Sequence, residues 1–262
     1  MPEATLSEGA GSAEPILRLR GVGRRFGGVI AVRDVDLDVA HGERRAILGP
    51  NGAGKTTLFN LIAGDYEPTS GTIEIEGRDV TSAPARVRPG LGVSRSYQKT
   101  RLFLDLSVED NLFLAVLGRA GARPTPLRRR RAEREQRERA REAARQAGLA
   151  DVLSRTVGSL SHGQQRQLEV GMALSTDPKV LLLDEPCSGL SRGERVALTE
   201  RLLALPRSLT LLFVEHDMDV ALTVGERVTM MHDGRVIVEG TPAEIRANET
   251  VHDLYLGRGN RE

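Results

Sequence analysis

The chain of 262 residues has no tryptophan, one cysteine and three lysines, and only 3% of it is aromatic. A lone Cys187 excludes an internal disulfide and fits a reducing compartment. The longest wholly apolar run, residues 112–117, falls far short of the roughly 18 residues a membrane span requires. A net charge of +1 gives no bulk attraction to nucleic acid or to an anionic membrane. Binders of single-stranded nucleic acid interleave aromatics with basic residues, and the basic stretch 128–145 holds no aromatic at all. Its mixed signs at helical spacing (Arg134, Glu138, Arg141) read as a solvated helix face. Residues 1–15 are acidic, small and Gly/Ser-rich, without the basic start and apolar stretch of a signal peptide. They read as a disordered tail, and the expected location is the cytosol, or a membrane reached only through a partner.

Against that background one stretch carries chemistry. Gly49-Pro50-Asn51-Gly52-Ala53-Gly54-Lys55-Thr56-Thr57 fits G-x-x-x-x-G-K-[ST] without a mismatch. The run 44–48 reads as a buried strand before it and 58–63 as a helix after it, the context the motif requires. Glycines let successive N–H groups turn toward one anion, and the helix start adds its positive dipole end. Lys55 would reach the β- and γ-phosphates of a nucleotide, and Thr56 would offer its hydroxyl to Mg²⁺.

A short strand is expected at 16–20, and alternating polar and apolar residues predict half-buried strands at 34–39 and 72–76. Together they suggest an antiparallel layer around the loop-bearing strand. From Ser107, at capping-box spacing from Asp110, the chain reads as mainly helical to about residue 167. The proline-rich break at 124–126 interrupts it, and a long charged helix covers 128–147. Continuous apolar runs at 180–183 and 209–214 then predict parallel strands covered on both faces, joined by a crossover helix at 192–205. Asp233-Gly234 between two β-rich runs is a hairpin signal. No internal repeat is present.

Two further clusters fit the loop. Asp184 and Glu185 end an apolar strand, which delivers Asp184 to the carboxyl edge of a sheet, where it can hold a Mg²⁺ shared with Thr56. Glu185 is then placed to polarise a water for attack on the γ-phosphate. Leu160-Ser161-His162-Gly163-Gln164 precedes a helix with Ser161 as its N-cap, a second donor-rich helix start.

The order of these pieces, with a lone glutamine between the first two and a histidine after the last strand, resembles the ATP-binding cassette family over residues 16–257. The fold implied is α/β, a P-loop NTPase (RecA-like) core with an antiparallel β-subdomain and an inserted α-helical subdomain. Residues 16–98 and 165–257 would form the catalytic core, and 99–164 the helical subdomain. The resemblance implies that Phe26 stacks on adenine, although an isolated Phe is more commonly core. It makes Gln98 a contact to Mg²⁺ or water that links to the helical lobe. It makes Leu160 to Gln164 the signature that acts on ATP held by a second subunit, Asp184 the metal ligand and Glu185 the catalytic carboxylate. Ser188 to Ser191 would be the loop crossing the dimer interface, and His216 the sensor of the γ-phosphate. Two departures stand out. His162 replaces a glycine, which would cost activity if the position needs positive φ or close approach to phosphate, and Ser191 replaces an aspartate.

The stretches 97–103, 106–112, 215–218 and 251–257, with the extra helix at 128–145, look like the ATPase subunits of branched-chain amino acid importers. ATP and Mg²⁺ are the implied cofactors. Transmembrane permease subunits and a second cassette are the implied partners, with a solute-binding protein acting indirectly and nucleic acid excluded. The implied place is the cytoplasmic face of the bacterial inner membrane. Urea or amide importers share the pattern. Lipopolysaccharide-type exporters usually lack the 128–145 extension, and cassettes that act on nucleic acid usually carry two copies per chain. No N-K-x-D motif for guanine recognition is present.

Overall fold

The computed structural model describes residues 14–96, 102–120 and 126–251, apart from the side chains of 119–120 and 126–130. In chain order the elements are β1 (Leu17–Phe26), β2 (Val29–Val39), β3 (Arg44–Leu48), α1 (Lys55–Ala63), β4 (Ser70–Ile75), β5 (Arg78–Asp79) and β6 (Val93–Ser96). There follow α2 (Val108–Ala120), α3 (Pro126–Ala147), α4 (His162–Leu174), β7 (Val180–Asp184), α5 (Arg192–Ala204) and β8 (Thr210–Val214). The last are α6 (Met218–Val224), β9 (Arg227–His232), β10 (Arg235–Gly240) and α7 (Pro242–Ala247).

Two sheets organise the core. One is antiparallel, in the order β2-β1-β4-β5, and the other runs β10-β9-β3-β8-β7-β6. In the second, β9, β3, β8, β7 and β6 are mutually parallel, and β10 adds an antiparallel edge. The expectation of an antiparallel layer built around the loop-bearing strand is corrected here, because β3 lies inside the parallel sheet. All five residues of β3, β7 and β8 are buried, as a strand covered on both faces requires. Successive side chains point to opposite faces. Ile47, Leu182, Leu212 and Val214 meet α1 and the antiparallel sheet, while Ala46, Leu183, Leu211 and Phe213 belong to the cluster formed with α4, α5 and α6. The helix α1 therefore sits between the two sheets, and its N-terminus is fixed from both sides.

The first strand runs ten residues rather than five, because Gly21, at φ 57°, absorbs an irregularity and the ladder to β2 resumes at Val22. The α2 start is capped as its spacing suggests, since Ser107 Oγ accepts from the Asp110 amide at 3.0 Å. Pro126, expected to break helical structure, is the first residue of α3, a position where its missing N–H costs nothing. A third apolar cluster, from Val108 to Leu168, holds α2, α3 and α4 together. The Asp233-Gly234 turn has positive φ at both residues, 47° and 78°, which matches the twist of a tight hairpin. That turn also braces the phosphate loop, since the Gly234 amide donates to Ala53 O at 3.1 Å.

Candidate functional site

Strand order decides which residues share an edge. In the run β3-β8-β7 the carboxyl ends carry Gly49, then Glu215 and His216, then Asp184 and Glu185. Neighbouring strands lie about 4.8 Å apart, so three segments distant in sequence line one rim of the sheet.

The loop 49–54 bends into α1 through Gly54, whose φ of 98° and close approach to Ala31 O, at 2.4 Å from an added Cβ, admit no side chain. Lys55 is buried, and its Nζ donates to Gly49 O at 2.6 Å and Pro50 O at 3.0 Å. Burial lowers its basicity, and the carboxylates of Glu185 and Asp184 act in the opposite sense. Thr56 is exposed in the first turn, with Thr57 beside it. The first amides of α1 have no partner within the helix, so this end is an electropositive cup.

Asp184 is almost wholly buried. Its Oδ2 accepts from Arg95 Nη2 at 3.0 Å, while Oδ1 has no hydrogen-bond partner among the described residues. Burial pushes the Asp184 carboxyl up, and the Arg95 charge pulls it down. An orphaned, buried carboxylate oxygen at a sheet edge is a donor of the kind a hard divalent cation takes. The residues present thus fit a Mg²⁺ held by Asp184 and Thr56. Arg95 also bonds Asn60 Oδ1 and Asp65.

Glu185 adopts φ 50°, a left-handed backbone costly for a non-glycine residue. Its peptide is held on several sides. The amide donates to Val214 O at 3.0 Å, and the carbonyl accepts from Arg166 Nη2 at 2.8 Å. Arg166 Nε also reaches Pro186 O at 3.1 Å. The Glu185 side chain points at His216, with Oε1 2.7 Å from Nε2. Beneath them Glu215 is buried and accepts from the Cys187 amide at 2.9 Å, with its own acidity weakened by burial.

Ser161 caps α4, closing a full capping box with Gln164. Leu160 is buried beneath the turn and His162 is exposed at the first helical position, outside the set of positive-φ residues. Of the two conditions under which His162 would be costly, positive φ is therefore not met. Gly163 is the glycine that steric crowding demands, because an added Cβ would lie 2.6 Å from Glu194 Oε1. Ser191 caps α5 with Glu194 in a second capping box, a role serine fills as well as aspartate does.

Phe26 is exposed rather than core. It meets Tyr66 edge to face at 5.3 Å, and the Arg24 guanidinium lies 4.6 Å above its ring. Gln98 lies outside the described residues. Sequence reasoning passed over Arg95, Arg166, Glu194 and Tyr66. Arg95 and Tyr66 meet their partners only across long stretches of chain. Glu194 sits at capping-box spacing from Ser191, and Arg166 three residues before Glu169, local signals that do not reveal their contacts to residues 161–163 and 185–186.

Residues 32–188 match the family described as ABC transporter, and residues 235–260 match that described as branched-chain amino acid ATP-binding cassette transporter. The chain is 37% identical over 254 residues to the high-affinity branched-chain amino acid transport ATP-binding protein BraF of Pseudomonas aeruginosa, covering 94% of this chain and 99% of that protein. Its identity to LivG of Escherichia coli, a protein of the same description, is 36% over 253 residues, with the same coverage. Among solved structures, the ADP conformation of MJ1267, an ATP-binding cassette of an ABC transporter, superposes with a TM-score of 0.81. That match has 28% identity and covers 94% of this chain and all of that one.

Proposed function

Because the chain belongs to the ABC transporter family of ATP-binding cassettes, we propose that it hydrolyses ATP to drive an importer of branched-chain amino acids. The observation that carries the chemistry is the shared rim, with Lys55, Asp184 and the Glu185–His216 pair on three strand ends of one sheet. The substrate class rests on the BraF and LivG relatives and on the C-terminal match at 235–260.

In this reading Lys55 releases the two loop carbonyls and takes up phosphate oxygens of ATP. The Gly54 turn and the first α1 amides receive the rest of the triphosphate. Asp184 and Thr56 would hold Mg²⁺, which would supply positive charge to offset that of the phosphates. Glu185 accepts a proton from the attacking water, and His216 orients the carboxylate and senses the γ-phosphate. Phe26 offers its open face to adenine, with Tyr66 bracing the ring. The signature at Ser161 to Gln164 faces the ATP of a second cassette, and the loop 188–191 crosses between the two. The helical subdomain expected at 99–164 serves as the lobe that docks on permease subunits. No described helix is long and apolar enough to cross a membrane, and on this reading the subunit sits peripherally at the cytoplasmic face.

The test is reconstitution with the permease subunits and binding protein encoded beside it, followed by solute-dependent ATPase assay. Stimulation by leucine, isoleucine or valine is expected. Stimulation by urea or a short amide alone would move the substrate assignment, and no stimulation by any of them would remove it.

A further inference from the structure

The carboxylate of Glu194 divides its two oxygens between two motifs that are 31 residues apart. Oε2 accepts from the Ser191 amide at 3.1 Å and from Ser191 Oγ at 2.8 Å, as a capping box requires. Oε1 serves no need of its own helix. It accepts from the Gly163 amide at 2.9 Å and from Ser161 Oγ at 3.2 Å, at the head of α4. These donors hold the Glu194 carboxyl down at about 2, so it is fully charged at any physiological pH.

Ser161 Oγ and the Gly163 amide are donors of the signature that, in the function proposed above, grips the partner's ATP. In the structure a carboxylate of the same chain occupies them. Two anions cannot share one pair of donors, because like charges at hydrogen-bond distance repel and each donor serves one strong acceptor.

We infer that Glu194 is a positioning residue that stands in for the incoming phosphate, locking the signature to the interface loop until the second subunit's ATP displaces it. Release is partial by construction. Oε1 gives up Ser161 and Gly163, while Oε2 keeps the α5 cap, so the helix stays formed as the contact changes. Arrival of nucleotide at one face thereby unlatches the 188–191 loop, which precedes α5 directly. The ATP concentration at which two cassettes close is set in part by this internal competitor.

The inference rests on the sandwich proposed above, and E194Q tests it separately. Glutamine at this position still caps α5 through its single oxygen, because Glu and Gln both serve at the third position of a capping box. It lacks the second acceptor, so the fold is kept while the competing anion is lost. Closure is followed on the full chain by light scattering during an ATP and Mg²⁺ titration, in an E185Q background that stalls hydrolysis. The E194Q/E185Q midpoint should fall about tenfold below that of E185Q, the scale of one charged hydrogen bond. In nucleotide-free protein, amide exchange over 160–165 should rise in E194Q while the melting temperature stays near the parent value.

A midpoint that is unchanged or raised in E194Q, with the parent closing normally, overturns the inference and leaves the sandwich intact. Should E185Q itself never close, with its permease subunits present, the sandwich reading fails and the inference falls with it. Unaltered exchange at 160–165 would show that the Oε1 contacts do not restrain the signature, and this too overturns it.

Discussion

His216 Nε2 and Glu185 Oε1 stand 2.7 Å apart, joining the ends of two neighbouring parallel strands through their side chains. The imidazole fixes the direction of a carboxylate whose backbone is already held at positive φ. A base so oriented is worth about 10²–10⁴ in rate. E185Q should lower kcat by that factor and leave ATP affinity unchanged, because the amide keeps the shape and loses only the proton acceptor. H216A should cost less, since the base survives without its orienting partner. Steady-state ATPase assays beside equilibrium ATP binding decide both, and hydrolysis at the parental rate in E185Q would remove Glu185 from its role.

Lys55 closes the loop on itself. Its ammonium takes Gly49 O and Pro50 O, both within the loop it closes. Phosphate oxygens carry more negative charge than carbonyls, and charged hydrogen bonds contribute about 1.5–3 kcal/mol each. K55A should therefore weaken ATP binding by about 10–100-fold, read by equilibrium dialysis. Unaltered affinity would show that the loop is not where the triphosphate binds.

For Asp184 the sign runs against the usual carboxylate. Burial raises its folded pKa above the unfolded value, so as pH rises the unfolded chain releases its proton first. Stability is then lost as pH climbs from the ordinary aspartate range through the raised folded value, and stays lower above it. At pH 7.5 the nucleotide-free protein bears that cost. D184N should melt higher than the parent at pH 7.5, with the gap closing toward pH 4, and MgATP should stabilise the parent but not the variant. Calorimetry across pH checks this. A D184N that melts lower throughout would mean the Arg95 ion pair outweighs the burial.

The core was legible because buried parallel strands announce themselves as unbroken apolar runs. The span 180–183 could be read that way residue by residue, 44–48 with its two arginines was marked by the motif that follows it, and the caps at Ser107 and Ser161 had local partners three residues on. Sheet membership was not. Whether β3 pairs with β8 and β9 or with the antiparallel layer depends on long-range pairing, to which an alternating pattern is blind. The same limit separates Lys55, written in a contiguous motif, from Arg95 and Arg166. Those two act on carbonyl and carboxylate oxygens 19 to 89 residues away.

Arg88 is a stability liability that no motif signals. It is 2% exposed, and among the described residues none of its three guanidinium nitrogens has a hydrogen-bond partner. Burial alone lowers its basicity. An added Cβ on Gly64 would lie 3.0 Å from Arg88 Nε, which puts the cation beside the C-terminal end of α1, where the helix dipole returns some of the cost. An unpaired buried charge costs more than that, and swapping buried ionic groups for apolar ones of similar size stabilises by about 1–4 kcal/mol. R88M should raise the melting temperature by roughly 2–10 °C. A fall would show that the helix-end interaction dominates.

Cys187 makes the segment that follows Glu185 a reporter. The thiol is 5% exposed, and burial, aided by Glu215, pushes it up to about 12 from an ordinary 9.0. Only the thiolate is nucleophilic, so at pH 8 ionisation alone should slow alkylation by about 10³. Exclusion of the reagent adds to that. Iodoacetamide should leave the native protein unmodified over hours by intact mass, and a denaturant series should label it in step with global unfolding. The residue follows Glu185 by two positions, and its amide is tethered to Glu215 Oε1. Labelling within minutes in native buffer would therefore mean that the segment carrying Glu185 opens by itself, and that the strained carboxylate is held less firmly than its bonds to Arg166 and Val214 require.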